Sequence, residues 1–120
     1  NRVVWFDLPV VDLERASRFY EAVLGLPVQR EQVGDLGFSV LAHDQGNGGC
    51  LVPGVPAREA HSGPLLYFNA EGRIRAAVAE VERWGGRVLE PIRSIGPHGF
   101  RAVALDSEGN RIALHSEVDR

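Results

Sequence analysis

The chain of 120 residues has a single cysteine, Cys50. An internal disulfide and a multi-cysteine zinc site are both excluded, and a lone thiol of this kind reads first as a small buried hydrophobe. Lysine is missing altogether. All 13 basic residues are arginines, scattered along the chain, and the formal net charge is −3. No cluster of positive charge exists to hold a phosphate backbone, so nucleic acid is not an expected partner. No apolar run approaches the ~20 residues that span a bilayer, so membrane insertion is not expected. The first residues show no charged stretch followed by a long apolar one, so no secretory leader is expected and the cytoplasm is the default location. Familiar local motifs are lacking too. There is no G-x-S-x-G elbow and no H-x-x-x-H spacing. "GNGG" follows one strand and opens another, where a phosphate loop would open a helix.

A repeat is present. "GFSVLAHD" begins at Gly37 and "GFRAVALD" begins at Gly99; each ends in Asp, at Asp44 and Asp106. Each runs through a Gly/Asn turn into a further apolar segment, "GGCLVP" and "RIALHS", which describes one hairpin written twice. A helix signal precedes each hairpin. Asp12 is a natural N-cap, Leu13, Ala16, Tyr20, Val23 and Leu24 recur at helical spacing, and Gly25 stops the run. In the second copy Ile74, Ala77, Val78, Val81 and Trp84 follow the same spacing up to Gly85-Gly86. The strands "VVWFDL" and "PLLYFN" come before the helices, and "PVQREQV" and "RVLEPI" after them.

The expected order is therefore β-α-β-β-β, twice, in an α+β fold. The modules span about 1–53 and 63–118, joined by a loop at 54–62, within a single domain of 1–120. Neither half is large enough to be independently stable. The expected arrangement is a curved, cup-shaped mixed sheet with both helices packed outside it.

"DLERASRFYEAVLGL" and "PHGFRAVALDSEGNRIALHS", set in paired modules, resemble the glyoxalase/bleomycin resistance/extradiol dioxygenase group, also called vicinal oxygen chelate proteins. The resemblance covers nearly the whole chain. It implies a cup that, in the enzymes of the group, holds one divalent metal on inward His, Gln or Glu side chains from the first and last strand of each module. It also implies a homodimer. In this chain the corresponding positions are Trp5, Leu65 (Leu66 at one place's shift), Cys50 and Ala113. Indole, alkyl and methyl groups offer no lone pair to a metal. Neither metal nor any other cofactor is expected.

Alternation turns Trp5, Asp7, Cys50, Val52, Leu65, Tyr67, Asn69, Arg111, Ala113 and His115 into the cup, and Val4, Phe6, Leu8, Leu66, Phe68, Ile112 and Leu114 toward the helices. Trp5 and Tyr67 suit a planar or apolar ligand, Arg111 an anionic one, and His98 in "GPHGF" lies on a loop at the cup mouth or in a tight turn. His43 and His61 fall in exposed loops. Asp7 and His115 are a candidate catalytic pair if the first and last strands approach one another. The leading expectation is a metal-free protein that binds a small, partly apolar molecule, as drug-sequestering members of the group do. The alternatives are a lyase or isomerase acting on a small oxygenated substrate, with Asp7 and His115 or an atypical metal site, and a structural or regulatory dimer.

Overall fold

The computed structural model describes residues 2–55 and 64–120. The first module consists of β1 (Trp5–Val10), α1 (Leu13–Leu24), β2 (Val28–Val33), β3 (Leu36–Leu41) and β4 (Gly48–Pro53). The second repeats the order with β5 (Leu66–Asn69), α2 (Ile74–Arg83), β6 (Arg87–Ser94), β7 (Phe100–Leu105) and β8 (Arg111–Ser116). A single 3-10 turn, Gly96–His98, joins β6 to β7. Most of the connecting loop, with His61, lies outside the described residues.

Local chemistry sets the helix ends. The Asp12 carboxylate accepts from the Arg15 backbone N–H, and Gly25 closes α1 at φ 68°, a left-handed conformation that glycine adopts without steric cost. Helical spacing buries Ala16, Phe19, Tyr20 and Val23 of α1 and Ile74, Ala77 and Val81 of α2 on one side each. Truncating the fully buried Phe19 to alanine would cost about 3–5 kcal/mol.

The strands form two four-stranded mixed sheets, ordered β1-β4-β3-β2 and β5-β8-β7-β6. The expected α+β fold of two βαβββ modules is present. Among the described residues no ladder joins the two sheets, so strand pairing does not close one surface within the chain. The helices pack on each other and on the apolar faces of their own sheets. Phe6 and Phe68 meet edge to face at 5.7 Å, and Tyr20 lies 5.4 Å from Phe68, so both modules share one core. Phe6 reaches this position across Gly49, where a Cβ would stand 2.4 Å from its ring. The other faces of the sheets carry no helix among the described residues. Val4 departs from expectation: it precedes β1 and is exposed, because the strand begins one residue later.

The turn between β7 and β8 fastens the modules together. Buried Asp106 accepts from the Tyr20 hydroxyl at 2.7 Å and from the backbone N–H groups of Glu108 and Asn110. The Asn110 amide donates to the Pro9 carbonyl in the first module. Glu108 accepts from the backbone N–H of Val11 and Asp12 and pairs with both ends of the Arg15 guanidinium. Burial pushes the Glu108 carboxyl up, but the Arg15 bond, the Asp12 amide and the Ser107 hydroxyl outweigh it and bring the pKa down to about 2. Burial dominates at Asp106, whose pKa is raised despite its donors, and burial beside that carboxylate raises Tyr20 well above the usual phenol value.

Candidate functional site

Strand register fixes which side chains share each open face. On the first sheet Asp7, Cys50, Val40 and Gln29 form one row across the four strands. On the second, Asn69, His115, Arg101 and Arg93 form a row, and Tyr67, Ala113, Val103 and Glu90 form the next. The pairing Asp7↔Cys50 matches Tyr67↔Ala113, so Leu65 stands to Tyr67 as Trp5 stands to Asp7.

In the first module the Cys50 thiol donates to Asp7 Oδ1 at 3.1 Å. Burial and then this bond raise the thiol's pKa, which keeps it protonated. Trp5 is half-exposed and packs edge-on against His43 at 5.6 Å. Asp7 therefore serves Cys50. His115 lies in the other sheet, and no hydrogen bond joins the two among the described residues. The suggested Asp7–His115 pair is not assembled.

In the second module His115 Nε2 lies 2.6 Å from the carbonyl oxygen of His98. A carbonyl only accepts, so Nε2 carries a proton, and Nδ1 makes no hydrogen bond among the described residues. The imidazole is thus oriented by the 3-10 turn, and His98 acts through its backbone while its side chain is exposed. Asn69 uses its side-chain oxygen to accept from the Glu71 N–H at the entrance to α2. Arg111 is partly buried on the same face, with no hydrogen bond or ion pair among the described residues.

Sequence reasoning missed Arg101. Its guanidinium donates through Nη1 to the Tyr67 hydroxyl and sits 5.9 Å from the centre of that ring. Nη2 lies 3.6 Å from Glu90, and Nε is buried with no partner among the described residues. A buried donor without an acceptor costs about 1–3 kcal/mol, which singles this group out on the face. Alternation along "FRAVAL" was the available signal, since it places Arg101 on the face of His115.

The positions expected to hold a metal do not suit one. Trp5, Leu65 and Ala113 have no donor lone pair, and the Cys50 thiol is protonated and already bonded. Among the described residues no three His, Cys, Asp or Glu side chains converge as a metal would require.

Two hollows flank Tyr67. One, of about 580 Å³, lies between the modules and is mainly apolar, lined by Phe6, Leu24, Leu41, Leu66 and Phe68 with the 42–49 segment. The other, about 620 Å³ and more open, is lined by Tyr67, Ile95, His98 and His115. Both set polar groups beside an apolar wall, His43, Asp44, Asn47 and Asn69 in the first and His98 and His115 in the second, so each is a candidate small-molecule site.

Two βαβββ modules, each packing one sheet face under its helix and carrying polar side chains on the other, define the architecture. The family described as the Glyoxalase/Bleomycin resistance protein/Dioxygenase superfamily matches residues 2–114, and the chain belongs to it. A glyoxylase-like domain-containing protein from Didymella fabae is 28% identical over 120 residues, covering 95% of this chain and 92% of that protein. A glyoxalase/bleomycin resistance protein from Albidiferax ferrireducens T118 superposes with a TM-score of 0.72 at 21% identity, over 97% of this chain and 99% of that one. The fosfomycin resistance protein FosX from Mesorhizobium loti gives 0.68 at 17% identity, over 95% and 89%. Likeness at these identities carries the fold and leaves the reaction open. No helix among the described residues is long and apolar enough to cross a membrane.

Proposed function

We propose that this chain is a metal-independent member of the superfamily that binds a small, partly apolar molecule on its open sheet faces. The observation that carries this reading is the donor-poor set Trp5, Cys50, Leu65 and Ala113, with its one thiol protonated and bonded to Asp7. Trp5 and Tyr67 supply aromatic surface, and Arg101, Arg111 and His115 supply polarity. A thermal-shift screen of drug-like and aromatic small molecules on chelator-treated protein tests it, since a ligand of the native state raises its stability. Stabilisation that persists without metal is expected. Stabilisation that appears only after a divalent metal is added would contradict the reading.

A homodimer belongs to the same reading. Among the described strand residues the first module's open face carries Asp7 and Glu31 and no arginine, while the second carries Arg87, Arg93, Arg101 and Arg111 against Glu90. Opposite faces from two copies would complement each other in charge, and exposed Val3, Val4 and Leu26 near the start of β1 offer apolar contact. Sedimentation at two ionic strengths checks this, with dissociation at high salt expected.

One observation favours a second reading, a lyase or isomerase acting on a small oxygenated substrate. His115 is held through Nε2, with Nδ1 unbonded among the described residues, an orientation that suits a general base. His115→Ala that keeps ligand affinity and loses turnover would select this reading.

A further inference from the structure

Ala113 sits in the middle of a polar face and is fully buried, although no helix covers it. The reason lies two strands apart. Arg101 belongs to β7 and its partner Tyr67 to β5, with β8 between them. Arg101 is opposite His115 and Tyr67 opposite Ala113, so the arginine side chain reaches diagonally across β8 from the His115 row to the Ala113 row. A long side chain at 113 would occupy that path.

We propose, on the metal-independent reading above, that the Arg101 guanidinium is a fixed cation that seats the anionic oxygens of the ligand: a carboxylate, phosphate or phosphonate on a partly apolar body. Nη1 is anchored on Tyr67. Nη2 is beyond hydrogen-bond range of Glu90 at 3.6 Å, and Nε has no partner among the described residues. Nε is buried, so the donor left for an anionic oxygen of the ligand is Nη2, which makes no hydrogen bond among the described residues. Glu90 is shared with Arg93 at 3.4 Å, so it keeps a partner when an anion replaces it at Arg101. The other charges on the face, Arg87, Arg93 and Arg111, are all positive. Tyr67, which holds the guanidinium, also lines the hollow with Ile95, His98 and His115, and that hollow is the place for the ligand's apolar part.

The test uses phenylphosphonate and benzoate as probes, with benzamide as the neutral counterpart. Each is titrated into the EDTA-treated, ¹⁵N-labelled 120-residue chain and followed through the arginine Nε–Hε resonances. Both anions are expected to bind at least about tenfold more tightly than benzamide and to shift the Arg101 resonance, the change expected for one charge-assisted contact. Arg101→Lys and Arg101→Met should abolish the preference. If either variant fails to fold, Ala113→Glu carries the test, because its carboxylate would compete at the guanidinium and remove the preference while Arg101 remains. Equal binding of benzamide and the anions would overturn the role of Arg101 and leave metal-independent binding standing. Anion binding only after Mn²⁺ is added would overturn the metal-independent reading as well. No shift of the Arg101 resonance by any probe would overturn the proposal by itself.

Discussion

The two modules follow one plan and differ most tellingly at the hairpin turn and the open sheet face. The turn after β7 sends Asp106, Glu108 and Asn110 into the first module, where they hold Tyr20, the start of α1 and the Pro9 carbonyl. The corresponding turn after β3 makes no side-chain hydrogen bond to α2 among the described residues; Asn47 bonds only to the Val3 carbonyl beside it. The open faces differ in sign, acidic on the first sheet and mainly basic on the second. What the repeats share builds the fold. Where they part, one turn has become a fastener and one face has acquired a cation.

The largest effect should come from the fastener. Asp106→Ala leaves the Tyr20 hydroxyl and the Glu108 and Asn110 amides without their acceptor, and a loss of about 3 kcal/mol or more is expected from urea unfolding. Asp44→Ala in the other turn should cost under about 0.5 kcal/mol, as an exposed substitution does. Equal losses would break the comparison.

Next in size is the acid response of Glu108. Its pKa is lowered from 4.5 to about 2, so its stabilisation is complete above the unfolded value and disappears as pH falls through the folded one. Roughly 2–3 kcal/mol should be lost between these limits, and Glu108→Gln should flatten that part of the pH–stability curve. Asp106 has a raised pKa and acts in the opposite sense: protonating it favours the folded state, which offsets part of the loss.

The faces give smaller effects. Ala113→Glu should lower phenylphosphonate affinity about tenfold by pairing with Arg101, whereas Val40→Glu on the acidic face should leave it within about twofold. Smallest is the thiol. Alkylation of Cys50 by iodoacetamide should be slower than that of an exposed cysteine, and Asp7→Asn should speed it a few-fold by removing the carboxylate that helps keep the proton on sulfur.

Both helices, the eight strands and their two-fold repetition were legible in the sequence because the signals are local. Asp12, Gly25 and Gly85-Gly86 mark helix ends, and alternation marks faces. Sheet order is not local. Asp7 and His115 share a face type but belong to different sheets, so their spacing along the chain could not show that Asp7 meets Cys50 and His115 meets the His98 carbonyl. Arg101 was hidden for the same reason, since its partner lies 34 residues away across an intervening strand. The lack of metal donors at Trp5, Leu65 and Ala113 was legible at once, because it follows from residue type alone.

Metal titration tests that lack of donors most directly. Protein purified without chelator and passed through gel filtration should carry well under one equivalent of nickel, zinc, iron or manganese by elemental analysis, and added Mn²⁺ should stay free by electron paramagnetic resonance. One tightly held equivalent, lost on mutating residues of the open faces, would contradict it.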